Sequence, residues 1–296
     1  MGNKKSSRMF IFFSLLPAIL IYTVFKVLPV FEVFKLSFYR LSVLSFSEKF
    51  VGLHNFRALI HDNNFIRAFQ NSVLLIVYVT IITLVLSLMF ASILVNLKIK
   101  GSSFYRVIFY VPSVLSIVVI GGIFAAIYDS KNGLLVSILG FFGLKGPELG
   151  FLGDQSIVIY SIMLVMVWQA LGYYMVMYMA AMSSIPKNIY EAAEIDGANS
   201  AVKFFNVTIP LIWSSIRTTL SFFIISNINM SFLIATILTG GGPDGASEVF
   251  LTYMYNQAYT NQSYGYGMAI GVVVFIFSFV VSAIVSFVTK REVLQY

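Results

Sequence analysis

Few residues in this 296-residue chain can do chemistry, and they fall into two groups. One is a run of carboxylates, Glu191, Glu194 and Asp196, three of only twelve acids in the chain. The other is a scatter of polar and aromatic side chains inside long apolar stretches: Ser113, Trp168, Gln169, Asn227, Asn229 and Ser231. No nucleophile–base pair stands out. The absence of cysteine excludes disulfides, thiolate metal sites and cysteine nucleophiles. The two histidines, His54 and His61, lie together in a polar loop. There is no G-x-S-x-G, no H-E-x-x-H and no G-x-x-x-x-G-K-[ST], so hydrolase chemistry and phosphate-loop binding of ATP are not expected. The chain is expected not to be an enzyme and to hold no metal. An amide inside an apolar span must find a partner, on a neighbouring helix or on a substrate.

A bilayer must position these groups. Hydrophobic residues make up 59% of the chain and charged residues 10%, against roughly a quarter charged in a soluble domain. Mean hydropathy is +0.89. Surface-to-volume scaling does not let a soluble fold hide that much apolar surface, so a cytosolic enzyme, a disordered chain and a secreted domain are excluded. Charged side chains are costly in hydrocarbon, so the stretches between them bound the spans. The reading is an all-α membrane protein with one transmembrane domain over 1–296. Its six helices fall near 9–30, 69–95, 107–128, 156–182, 212–238 and 268–289. Residues 253–267, rich in Tyr, Asn, Gln and Gly, read as loop.

The short loops set the orientation. Lys4, Lys5 and Arg8 precede the first span; Lys98, Lys100 and Arg106 fill the second loop; Lys290 and Arg291 follow the last span. Both termini are therefore expected in the cytoplasm. The long first loop, with Lys35, Arg40, Lys49, Arg57 and Arg67, runs against this count but also carries acids. The first span has a positive start like a signal peptide, but no small-x-small cleavage site follows, so it reads as retained. Met1-Gly2 with Ser6 matches a loose myristoylation pattern that six residues produce by chance. The net charge of +7 fits cytoplasmic loops and anionic lipid better than nucleic acid, because no dense basic cluster is present. Lys26 and Arg217 lie near span ends, where they can snorkel. The interior thus lacks an ion relay, which argues against the alternative of an ion-coupled secondary carrier working without an ATPase. Backbone carbonyls alone can hold Na⁺, so that alternative stays open.

The fourth loop, 183–210, carries the most specific pattern. It reads as two short surface helices: Pro186 at a helix start, a helix-forming Tyr190-Glu191-Ala192-Ala193-Glu194, a turn at Asp196-Gly197, then an amphipathic stretch with Pro210 opening the fifth span. Glu191-Ala192-Ala193, three residues, Gly197, nine residues, then Val207-x-Ile209-Pro210 resembles the EAA loop of bacterial binding-protein-dependent ABC permeases. Val207 and Ile209 depart mildly from the usual Ile and Leu. Three other segments resemble the carbohydrate, maltose-type branch and extend the likeness over nearly the whole chain: Val51-Gly52-Leu53-His54-Asn55-Phe56 with Asp62, Phe65 and Asn71-Ser72; Leu238-Thr239-Gly240-Gly241-Gly242-Pro243; and Tyr264-Gly265-Tyr266-Gly267-Met268-Ala269.

The resemblance implies the type I importer permease fold and one permease half of an ATP-driven sugar importer in a bacterial inner membrane. It implies a second, homologous permease chain, two ATP-binding subunits holding ATP and Mg, and an extracytoplasmic solute-binding protein. The loop would dock on the ATPase through Glu191, Ala192, Ala193, Asp196, Gly197 and Pro210. Helix 4 places Trp168, Leu171, Gly172 and Met175 at helical spacing, with Gln169 and Tyr173 beside them; helix 5 places Asn227 and Ser231 one turn apart. By likeness to maltose-type permeases these residues, joined by Ser113, would line the sugar path, although each of them equally suits helix–helix packing. Gly267 and Gly271 read as packing, and the tyrosines of 253–266 as an interfacial belt or a contact for the binding protein.

Overall fold

The structure, a computed structural model, describes residues 3–42, 47–96 and 101–291. Lys98 and Lys100, and the side chains of Lys4, Lys5 and Arg8, which carry much of the orientation argument, lie outside the described residues, as do Met1 and Gly2. The chain divides into two compact units, residues 1–62 with 254–276, and residues 63–253 with 277–296.

In the first unit α1 runs Asn3–Tyr22, passes a π turn at Thr23–Val27 and continues Leu28–Leu36. The span is longer than predicted, ending in a turn that carries Glu32 and Lys35 paired at 3.5 Å. An antiparallel ribbon follows, β1 (Tyr39–Ser42) and β2 (Ser47–Phe50), with Tyr39 opposite Phe50. This small ribbon departs from a purely helical reading; the charged loop gave no alternation strong enough to announce it. Asn55, at the start of α2 (His54–Ile60), donates to the carbonyls of Ser37 and Tyr39 at 2.8 and 3.0 Å and pins the ribbon's base. Gly265 sits where a Cβ would meet the Tyr39 carbonyl at 1.8 Å, and Gly267 where one would meet Ala258 at 2.8 Å, so both glycines are packing positions.

The second unit holds α3 (Asn63–Asn96), α4 (Ser102–Val114), α5 (Ile117–Ile127), α6 (Leu134–Phe141), α7 (Val158–Ser183), α8 (Lys187–Ile195), α9 (helical over 200–211) and α10 (Trp213–Leu238). α11 (helical over 250–260) and α12 (Tyr264–Val288) contribute to both units. Among the described residues, five helices are long and apolar enough to cross a membrane, and α4 with α5 makes a sixth span if counted together. The single third span expected at 107–128 is thus corrected: α4 and α5 meet at 102°. Leu115 and Ser116 are extended, and the Ser116 hydroxyl accepts from the Val119 amide at 3.3 Å, capping a new helix. Pro112 weakens the turn before the break by removing an amide donor.

α7 is apolar on every side and lies at the centre, packed chiefly on α3 and α4. Met166, Met175 and Tyr178 are fully buried there with Leu75, Val79 and Ile234. Gly172 lets α4 approach so closely that a Cβ would lie 1.7 Å from the Phe109 carbonyl oxygen. The Ser87 hydroxyl of α3 donates to the Leu171 carbonyl at 2.8 Å. At one end of the unit Asn71 donates to the carbonyls of Ala246 and Glu248, and the Ser72 hydroxyl accepts from the Phe250 amide. These bonds hold the segment after Gly240-Gly241-Gly242-Pro243 to α3.

Candidate functional site

The 183–210 loop folds as two stapled helices. Pro186 precedes α8 in extended conformation. Gly197 adopts φ +79°, which an L side chain resists. The Gly197 amide donates to the Glu194 carbonyl at 3.0 Å and the Ala198 amide to the Ala193 carbonyl at 2.9 Å, a Schellman ending that satisfies the last carbonyls of α8. Asn199 restarts the chain by accepting from the Val202 amide at 2.9 Å. Lys203 of α9 reaches back to Glu194 at 2.6 Å, and the hydroxyls of Tyr190 and Thr208 meet at 3.0 Å.

Ile189 and Tyr190 of α8, with Phe204 and Ile209 of α9, pack on the core of the unit. The opposite face is open: Glu191, Ala192, Asp196 and Gly197 are exposed, and Ala193 and Pro210 are half-buried. Ile195 is 87% exposed and Phe205 66%. Two large apolar side chains held out beside a carboxylate suit a protein partner, and neither Ile195 nor Phe205 was singled out by the sequence. Pro210 does not open the fifth span. It lies inside α9 after a π turn at Lys203–Thr208, and Ile212 leaves helical geometry before α10 begins at Trp213. The missing Pro210 amide disturbs the hydrogen-bond ladder here.

A cleft of about 590 Å³ opens between α7 and α10, with Ser113 of α4 at its edge. Gln169, Tyr173 and Ser226 line it, and none of the three side chains bonds to another described residue. Asn227 also lines it but is committed: its amide donates to the Thr80 hydroxyl of α3 at 2.9 Å. Phe222, Phe223 and Tyr174 supply aromatic faces, with Tyr174 and Phe223 centroids 4.4 Å apart. No charged side chain is among the described residues that line it.

The structure brings Ser113 and Asn227 of the predicted path together in this cleft and leaves the other predicted residues off it. Trp168 stands edge-on to Phe124 of α5 at 5.2 Å. Leu171 and Met175 are buried in the core, Gly172 meets α4, and Ser231 donates to the Ile228 carbonyl within α10 at 2.9 Å. On α7 the stripe facing the cleft runs through Gln169, Tyr173 and Met177, one position round from the stripe read in the sequence. Ser226 and Thr218 were not anticipated; the spacing of Asn227 with hydroxyls one and nine residues before it was the available signal.

Comparison with known proteins agrees with this architecture. Residues 83–293 match the family described as the binding-protein-dependent transport system inner membrane component. The chain is 36% identical over 273 residues to the "Probable ABC transporter permease protein YurN" of Bacillus subtilis, covering 90% of this chain and 91% of that one. It is 32% identical over 251 residues to the diacetylchitobiose uptake system permease protein NgcF of Streptomyces coelicolor, covering 81% and 71%. It is 30% identical over 279 residues to the multiple sugar-binding transport system permease protein MsmF of Streptococcus mutans, covering 94% of each. Among solved structures, a bacterial ABC transporter involved in import of the acidic polysaccharide alginate superposes with a TM-score of 0.84 over 98% of this chain and 99% of that one, at 22% identity. With the fold, the spans and the matched family in agreement, the chain belongs to the inner-membrane components of binding-protein-dependent transport systems and is a permease subunit of an ABC importer.

Proposed function

We propose that this permease forms one half of the translocation pathway for a neutral sugar or short oligosaccharide. The observation that carries the reading is the cleft between α7 and α10. Gln169, Tyr173 and Ser226 offer an amide and two hydroxyls with no partner among the described residues, beside the aromatic faces of Tyr174 and Phe222. Sugars are held by such a palette, hydroxyls on amides and the ring on an aromatic face. The uncharged lining favours a neutral solute over a phosphorylated or acidic one, since a buried anion needs paired charge. Relatives named for diacetylchitobiose and multiple sugars support the class.

In this reading an extracytoplasmic binding protein delivers the sugar, and a second permease chain closes the other side of the pathway. ATP is hydrolysed, with Mg, on two partner subunits, not on this chain. Closure of those subunits pushes the 183–210 loop, whose exposed face of Glu191, Ala192, Ile195 and Phe205 is the docking surface, and Gly197 and Pro210 set its shape. Both termini and this loop face the cytoplasm.

The test is uptake by the transporter reconstituted with its partner subunits and binding protein. Gln169→Ala and Ser226→Ala are expected to reduce uptake of a neutral oligosaccharide several-fold while assembly is unchanged. Full uptake by both variants, or a preference for a phosphorylated sugar, would overturn the reading.

A further inference from the structure

We propose that the slot between the start of α10 and the end of α12 binds the phosphodiester headgroup of an anionic phospholipid. The slot has a volume of about 410 Å³ and lies wholly within the second unit. Two guanidinium groups are fixed at it. Arg217, half-buried in the first turns of α10, donates to both the carbonyl and the hydroxyl of Ser286 on α12 at 3.1 Å. Arg291 lies over the Trp213 ring, 4.9 Å from its centroid. Trp213 is itself anchored, its indole N–H donating to the Thr289 carbonyl at 2.9 Å. Neither arginine forms an ion pair with a carboxylate among the described residues.

Each guanidinium therefore keeps donors in hand, in the planar fork that suits phosphate oxygens. The hydroxyls of Ser214, Ser221 and Ser282 line the same slot. An arginine pair with an anchored tryptophan at a span end marks the membrane–water interface, the depth of a lipid phosphate. The slot also has an apolar side. Phe222 and Ile225 line it further along α10, with 69% and 44% of their surfaces exposed. A free phosphate has no use for that apolar strip, whereas an acyl chain does. Basic pockets between spans are the recurring form of such sites. The headgroup site stands apart from the sugar and coupling readings, because Trp213, Arg217 and Arg291 belong to neither the cleft nor the loop; Phe222 alone of the residues named here borders both the slot and the cleft.

The experiment uses the assembled transporter in detergent and a photoreactive phosphatidylglycerol, with cross-linked peptides mapped by mass spectrometry. Label is expected within 213–225 and 282–291. Excess phosphatidylglycerol should compete it away, whereas phosphatidylcholine or inorganic phosphate at the same concentration should not. The R217Q/R291Q variant is expected to need roughly 30-fold more probe for the same labelling, and R217K/R291K to recover part of the loss. Label confined to other segments, equal competition by phosphatidylcholine, or displacement by inorganic phosphate overturns the proposal. Absence of label because another chain covers the slot overturns it as well. The competition on the unmodified transporter decides the matter even if the variants fail to assemble.

Discussion

Asn227 and Gln169 both border the cleft, yet they are committed differently, and that difference is measurable. Asn227 is 1% exposed and bonded to Thr80, so Asn227→Leu strands a buried hydroxyl. It is expected to cost about 1–3 kcal/mol of stability as well as lowering uptake. Gln169 has no partner among the described residues, so Gln169→Ala should shift stability by less than about 0.5 kcal/mol and lower uptake alone. Thermal melting of the assembled transporter beside an uptake assay separates the two; equal destabilisation by both variants would contradict the assignment. A second residue prediction concerns Asp129. Its carboxylate accepts from the Asn132 and Lys131 amides, which hold its pKa below the usual 3.8. A depressed folded value stabilises the turn above the ordinary pKa and loses that support as pH falls through 3.8 towards the folded value. Amide exchange at Lys131 and Asn132 should rise over that window, and Asp129→Asn should remove the pH dependence. The sequence showed Asn227 as an amide in a span but not its partner, because Thr80 lies 147 positions away.

At the scale of elements, close approach is what fixes α7. Gly172→Ala places a methyl group on the Phe109 carbonyl, so α4 must move. The expected cost is about 1–3 kcal/mol, read as a lower melting temperature, and an unchanged value would mean that the two helices do not meet there. In the sequence Leu171 and Gly172 suited the sugar path and helix packing equally, and the spacing alone did not choose between them. α7 is apolar on all sides, so periodicity could not say which stripe faces the cleft. The 183–210 loop was legible for the opposite reason. Its turn chemistry is local: Gly197 takes the left-handed conformation and Asn199 caps the next helix. Span positions were legible because charges are excluded from hydrocarbon, whereas the break after Val114 rests on Leu115 and Ser116, which carry no periodic signal.

For the whole molecule, the lack of cysteine makes orientation testable without background labelling. Ile195 and Phe141 are 87% and 84% exposed. With the 183–210 loop in the cytoplasm, Phe141→Cys should react with a membrane-impermeant thiol reagent in intact cells, and Ile195→Cys only after lysis. The reverse pattern would invert the topology. In the proposed function, energy enters this permease through the exposed face of α8. Binding-protein-stimulated ATP hydrolysis, measured with sugar uptake on the reconstituted transporter carrying Glu191→Lys, tests it most directly. Glu191 is exposed and bonds to no described residue, so the fold should tolerate the change. Stimulation and uptake are both expected to fall at least about tenfold, a loss of roughly 1.4 kcal/mol, with the assembled complex equally stable. Stimulation and uptake equal to the unmodified transporter would contradict it.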